Sequence, residues 1–184
     1  MKIHIGENIR ITEPTAVTIG KFDGLHRGHV ALIKALAEQA RNRGLSAALL
    51  TFDPHPAAFF ASEKNMPLLL STAEKREMLA SMGIEHYIEY PFTSELAGMP
   101  PEDFIREVLQ KRLNARLLAV GQDYRFGRNR AGDAETLRAC GLEVHIIKPI
   151  SIDCQKISSN AIREALAVGD ISLANKMLGY PYKG

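Results

Sequence analysis

Apolar runs and glycine- or proline-marked breaks alternate along the whole chain, and the period of the apolar positions switches between two and about 3.6 residues. Residues 15–19 form a β-branched run that reads as a buried strand. Residues 20–28 are a turn punctuated by Gly20, Gly24 and Gly28. From His29 the apolar positions Val30, Ile33, Leu36/Ala37 and Ala40 fall on one helical face. Gly44 suits a helix stop, and residues 45–52 read as a second buried strand, so strand, helix and strand predict a parallel pair with a right-handed crossover. Asp53-Pro54-His55-Pro56 follows, and its two prolines exclude a helix running through it.

The connection over residues 57–70 carries Phe59 and Phe60 and is read as either a packed loop or a lid. Ser71-Thr72-Ala73-Glu74 has the capping-box spacing, predicting a helix to about Met82 that Gly83 closes. Residues 85–90 follow as a strand. Pro100 and Pro101 suit a first helical turn, with acidic Glu102 and Asp103 and the apolar set Phe104, Val108 and Leu113 behind them. Residues 117–120 and 142–147 are further strands, separated by an Arg- and Gly-rich loop and a helix capped by Asp133. A helix opens at Ser158-Ser159-Asn160-Ala161-Ile162-Arg163, and Asp170 starts another that ends at Leu178. Residues 2–5 could form a strand but are too few to place. The expected fold is α/β: one Rossmann-like α/β/α sandwich around a mainly parallel sheet of about five strands.

Composition narrows this picture without redirecting it. The chain has 184 residues, of which 46% are hydrophobic and 24% charged, which is ordinary globular material for one well-packed domain. A formal charge of +2, with no block of like charge, argues against a nucleic-acid surface. Cys140 and Cys154 lack metal-ligand spacing and read as thiols in a reducing compartment. The first residues lack the apolar core of a signal peptide and no run approaches a membrane span, so the cytoplasm is the expected location.

The chemistry concentrates in the turn before the first long helix. At a helix start the first N–H groups lack intrahelical partners and the dipole is positive, so an anion is stabilised there. His26 and His29 flank that point as two further donors, and Gly28 between them would let a ligand's phosphates approach the backbone. In a parallel sheet, ligands bind beyond the carboxyl ends of the strands. Four segments are expected to meet there: residues 20–29, residues 53–56, the loop of residues 122–132 and the helix start at residues 158–163. The loop arginines, Arg125, Arg128 and Arg130, are read as either a solvated face or a ligand loop; Phe126 is read as either core or a ligand contact.

His26-Arg27-Gly28-His29, after a strand and opening a helix, resembles the His-x-Gly-His signature of the nucleotidylyltransferases. Together with Thr18-Ile19-Gly20-Lys21-Phe22-Asp23-Gly24-Leu25 before it, Thr51-Phe52-Asp53-Pro54-His55-Pro56, the block from Val120 to Asp133 and Ile157 to Arg163, the chain resembles the adenylyltransferase module of prokaryotic FAD synthetase. The resemblance implies transfer of AMP from ATP to FMN, giving FAD and pyrophosphate, with magnesium as cofactor. It implies ATP-binding roles for Gly20, Phe22, His26, Gly28, His29, Asp123, Ser158, Ser159 and Arg163, and flavin contacts from Pro54, His55, Pro56 and Phe126; it leaves the metal ligands unassigned. His26, His29, Ser159 and Arg163 are the expected catalytic set, holding the α-phosphate and the departing pyrophosphate. No base is needed, because the FMN phosphate, with a second pKa near ~6, is already largely dianionic.

Two positions depart from the family pattern: Asn160 stands where Thr is usual, and Lys21 where a small or polar residue is common. In bifunctional members a riboflavin kinase module follows, and this chain stops at Tyr182-Lys183-Gly184. The expectation is therefore a single nucleotidylyltransferase domain over residues 1–184, with FMN supplied by a kinase module or a separate kinase. Its partners are small nucleotides and flavin, with neither nucleic acid nor membrane. The alternatives are a nucleotidylyltransferase with another phosphate acceptor, or a flavin- or adenine-nucleotide-binding module without turnover.

Overall fold

The computed structural model describes residues 1–60, 68–152 and 155–183. In chain order the first half contains β1 (Lys2–Ile5), β2 (Thr15–Ile19), α1 (Arg27–Arg43), β3 (Ser46–Asp53), α2 (Pro56–Phe60), α3 (Thr72–Ser81), β4 (His86–Pro91) and α4 (Ser94–Gly98). The second half contains α5 (Pro101–Asp103), which runs on as a π-helix over Phe104–Arg112, then β5 (Ala115–Gly121), α6 (Ala134–Ala139), β6 (Glu143–Ile147), a small hairpin of β7 (Ser151–Ile152) and β8 (Gln155–Lys156), α7 (Ser159–Ala167) and α8 (Ile171–Leu178).

The main sheet has six strands in the order β1-β4-β3-β2-β5-β6, all parallel. The sixth strand is β1, which pairs with β4 from Lys2↔His86 to Ile5↔Glu89 at the sheet edge. It was hard to place from sequence because an exposed, four-residue edge strand has little apolar pattern to read. The order reverses at β2, which pairs with β3 on one side and β5 on the other, so the loops leaving these strands diverge and open a crevice.

Both faces of the sheet are covered, which is why its central strands are continuously apolar. All five residues of β2 are buried. Ala16, Leu49 and Leu117 pack toward Ile33 and Leu36 of α1 and Leu79 of α3. Val17, Leu50 and Leu118 pack on the opposite face with Phe104, Val108 and Leu137. Truncating one of these Leu or Ile side chains to Ala would cost ~2–5 kcal/mol. The helix expected after Pro101 is π-helical over most of its length, and the wider turn keeps Phe104, Val108, Leu109 and Leu113, spaced by four and five residues, against one core. A third, smaller cluster joins Ile162 of α7 to Met177 and Leu178 of α8 and to Leu69.

The predicted caps are present. Ser71 and Glu74 form a reciprocal capping box, and Asp133 does the same with Thr136. The connection expected over residues 57–70 begins as α2, with Pro56 as its first residue. Residues 61–67 and Cys154 lie outside the described residues, as does Gly184. Among the described residues Cys140 is a half-buried free thiol, and no helix is long and apolar enough to cross a membrane.

Candidate active site

Beyond the end of β2 the backbone enters left-handed conformations at Phe22, Gly24 and Leu25, with φ of 52°, 77° and 35°. A non-glycine residue held there costs ~1–3 kcal/mol. Phe22 and Leu25 are 1% and 0% exposed, so burying their side chains offsets that strain. Phe22 is one of the residues expected to bind ATP. The ring packs under the turn, 5.1 Å from the His29 ring, and a Cβ on Gly20 would stand 3.1 Å from it.

Helix α1 starts two residues earlier than the apolar spacing indicates. His26 is its N-cap, and its Nδ1 accepts the His29 backbone N–H at 3.3 Å. In the neutral ring that acceptance leaves the proton on Nε2. The imidazoles do not flank a ligand from opposite sides as expected; they stack, with centroids 3.6 Å apart and planes 15° from parallel. Gly28 serves this stack, since a Cβ there would press the His26 ring at 3.2 Å. Burial pushes the His26 pKa down to about 4 despite its own backbone bond and the Asp23 charge. His29 lies well below the usual histidine range, chiefly from burial and then from the proximity of His26 and Lys75. At neutral pH both rings are therefore uncharged N–H donors. The buried Nδ1 of His29 has no hydrogen-bond partner among the described residues.

Helix α7 meets the turn from across the molecule. Ser158 is its N-cap and accepts from the Ala161 N–H at 3.1 Å. Ser159 Oγ donates to the Asp23 carbonyl at 2.9 Å, so its single proton is engaged with the turn. Arg163 pairs with the Asp23 carboxylate, which also accepts the Leu69 N–H at 3.0 Å and has Lys21 Nζ at 3.4 Å. Asn160, the departure from the family pattern, is exposed on the helix surface. Asp23 is the residue missed in reading the sequence. Its position inside the quoted motif was a signal, but its partners at 69, 159 and 163 are visible only in three dimensions.

On the other side of Gly20 lies a cavity of about 820 Å³, within the size range of small-molecule sites. Its walls are aromatic: Phe52 at the end of β3, Phe60 of α2, Phe92 just after β4, Phe104 of the π-helix, and Tyr124 and Phe126 after β5. Arg125 and Arg130 line the same cavity, as do His55 and Pro56. The Phe126 ring is buried against Phe104 and Tyr124 at centroid distances of 5.8 and 5.5 Å and also forms part of the cavity wall. The loop is fixed by the antiparallel pairing of Phe126 with Gly132 and by Arg125 on Asp133 at 2.7 Å. A Cβ at Gly127 or Gly132 would come within 2.8 Å of Pro101. Two expected residues are placed elsewhere. Pro54 is exposed and outside the cavity lining, and Asp123 is exposed and held by Lys156 at 2.6 Å.

The four segments expected to meet do so at the carboxyl end of the sheet, but in two compartments: His26, His29, Ser159 and Arg163 around the turn, and His55, Pro56 and Phe126 around the cavity, with Gly20 at the boundary. Residues 8–161 match the FAD synthetase family. The chain belongs to that family. The bifunctional riboflavin kinase/FMN adenylyltransferase of Escherichia coli (strain K12) is 38% identical over 174 residues, covering 92% of this chain and 56% of the relative. The chain thus spans about half the length of the first curated relatives it matches. A Geobacillus thermodenitrificans protein is 35% identical over 182 residues, 98% of each chain, and carries the same two-activity name provisionally. Among solved structures, this FAD synthetase-family chain is similar to one described as a macrolide-efflux protein from Streptococcus pneumoniae, with 29% identity and a TM-score of 0.85 over 99% of this chain and 72% of that one. A pantoate–β-alanine ligase from Francisella tularensis shares the fold, at 14% identity and a TM-score of 0.52 over 98% of this chain and 80% of that one.

Proposed function

We propose that this chain is an FMN adenylyltransferase, joining the phosphate of FMN to the AMP portion of ATP with release of pyrophosphate. One observation supports the reading above the rest: a turn suited to phosphates, with two neutral imidazoles at a helix start, adjoins an aromatic cavity of flavin size across Gly20. An FMN whose ring sits among Phe52, Phe92 and Phe126 would have its phosphate directed toward the turn. An FMN phosphate oxygen attacks the α-phosphorus of ATP, the bond from that phosphorus to the β-phosphate oxygen breaks, and no proton need be removed first.

Catalysis in this reading is positioning and charge stabilisation. The N–H groups at the start of α1 and the imidazoles would donate to the α-phosphate oxygens, and Arg163 and Lys21 would offset the charge of the departing pyrophosphate. Ser159 would contribute through its hold on the turn. His55 fits a boundary role, since burial and then the Lys21 charge lower its pKa and leave it uncharged beside the cavity.

Magnesium enters this reading as a companion of ATP. Among the described residues no group of three His, Cys, Asp or Glu side chains is placed to hold a metal, and the Asp23 carboxylate is already engaged by Arg163 and Leu69. The ion typically keeps phosphate and water ligands.

The 184 residues are proposed to carry adenylyl transfer as a single nucleotidylyltransferase domain. The half-buried free thiol of Cys140 is in keeping with a reducing, cytoplasmic setting. The test is to incubate the protein with ATP, magnesium and, separately, FMN, riboflavin, pantetheine phosphate and nicotinamide mononucleotide, and to identify products by chromatography and mass. FAD from FMN alone is the expected result. An adenylylated product from another acceptor, or flavin binding without turnover, would replace this reading with one of its rivals.

A further inference from the structure

We propose that Asp23 is a positioning residue: its buried carboxylate sets Arg163 of α7 against the histidine turn and so determines how tightly the triphosphate is held. The inference rests on the adenylyltransferase reading for what Arg163 does, and on the structure for what Asp23 does to Arg163. Asp23 lies between two residues in left-handed backbone, Phe22 and, one glycine later, Leu25, and its side chain is only 2% exposed. A carboxylate so far from water must be met by charge or hydrogen bonds. Every oxygen of the residue is used across a long sequence distance. Oδ1 accepts the Leu69 N–H at 3.0 Å, Oδ2 takes the Arg163 guanidinium and faces Lys21 at 3.4 Å, and the carbonyl accepts from Ser159 Oγ at 2.9 Å.

These bonds have a geometric consequence. The first turn of α7 is pinned to the loop that leads into His26, so the guanidinium and the imidazoles are held in one frame. Arg163 donates one nitrogen to Asp23 and another, at 3.4 Å, to the Ser159 carbonyl, which orients the planar fork. Two cations, Lys21 and Arg163, face a single carboxylate, which leaves net positive charge at the turn for an anion. An aspartate is suited to this task because both its oxygens accept, one from the Leu69 N–H and one from Arg163, whereas an amide would set N–H groups against one of these two donors.

The test compares Asp23→Asn, Asp23→Glu and Arg163→Ala, alone and with Asp23→Asn added to Arg163→Ala. Affinity for a non-hydrolysable ATP analogue with magnesium is measured by calorimetry, FMN affinity by fluorescence quenching, FAD formation by chromatography, and folding by thermal melting. Asp23→Asn is expected to weaken the analogue about 10- to 100-fold, the range of a lost charge-assisted bond, while FMN affinity stays within twofold. Adding Asp23→Asn to Arg163→Ala should weaken it no further. Asp23→Glu keeps the charge but shifts its position, and should fall between wild type and Asp23→Asn; should Asp23→Asn not fold, this variant decides. Wild-type analogue affinity in any folded Asp23 variant would overturn the proposal, and so would equal losses of analogue and FMN, which mark general disruption. If the wild type forms no FAD yet Asp23→Asn loses the analogue, the adenylyltransferase reading falls and the positioning role stands. If the wild type forms FAD and Asp23→Asn binds the analogue normally, the reverse holds.

Discussion

The turn after β2 and the aromatic cavity beside it are neighbours built on opposite principles. The turn is made of residues whose polar atoms are nearly all engaged: Asp23 with Leu69, Arg163 and Lys21, Ser159 with the Asp23 carbonyl, and His26 with the His29 N–H. Its backbone is strained, and it is locked by buried Phe22 and Leu25. The cavity is made of rings contributed by five separate parts of the chain, with edge-on and tilted pairs such as Phe52 with Phe92 at 5.7 Å and Phe52 with Phe104 at 6.4 Å. A fixed polar frame suits a reaction in which charge moves by fractions of an ångström, whereas an apolar cavity suits a flat ring whose binding depends on area. In the proposed function, chemistry and recognition are thereby separated on either side of Gly20.

This division is open to direct attack. The largest effect is expected from His29→Ala, which should lower the rate of FAD formation by about 10²- to 10³-fold, the usual cost of one preorganised donor. Single-turnover measurements at saturating substrates check it, and an unchanged rate would place the histidine outside the reacting centre. Next comes acid sensitivity. His26 titrates near 4 in the fold against 6.5 when unfolded, so the unfolded chain takes up the proton first. The stability it contributes is complete above pH 6.5 and is lost as pH falls toward 4, up to ~3 kcal/mol at ~1.4 kcal/mol per unit. Melting curves at pH 7 and 4.5 should show a smaller fall for His26→Asn, which keeps a helix cap without titrating in this range. An equal fall in both proteins would assign the acid sensitivity to other groups.

Arg163→Lys is expected to cost about 10- to 100-fold in FAD formation although it keeps the charge, because an ammonium cannot reproduce the planar fork held by Asp23 and the Ser159 carbonyl. Wild-type kinetics in that variant would reduce Arg163 to a point charge. The smallest effect belongs to the cavity. Phe126→Ala should weaken FMN several-fold, since one aromatic contact contributes ~0.5–1.5 kcal/mol beyond its buried area, and should leave affinity for an ATP analogue unchanged in a calorimetric titration.

The two regions also differ in how far the sequence revealed them. The turn was legible because its signals are local: a buried run, glycines at fixed places and a helical period after His29. Even so, the stacking of the histidines and the packing of Phe22 beneath them were not, since both depend on a left-handed backbone that glycine spacing does not specify. The sheet was legible in its central strands, which are buried on both faces, and obscure at β1, which is short and exposed. The cavity was least visible. Phe52, Phe92 and Phe104 are ordinary core residues in a one-dimensional pattern, and only strand order brings their rings around one space. Pro54 and Asp123 show the complementary case: they sit within recognisable motifs, yet both are exposed and outside the cavity lining.

The separation of chemistry from recognition is tested most directly by measuring two quantities on the same preparations of His29→Ala and Phe126→Ala: the FMN dissociation constant, by flavin fluorescence quenching, and the rate of FAD formation at saturating FMN and ATP. A crossed pattern is expected, with His29→Ala binding FMN like the wild type but turning over at least about 100-fold more slowly, and Phe126→Ala binding FMN several-fold more weakly but turning over near the wild-type rate once saturated. If both variants lose binding and turnover in parallel while remaining folded, the turn and the cavity act as one undivided site and the account is wrong.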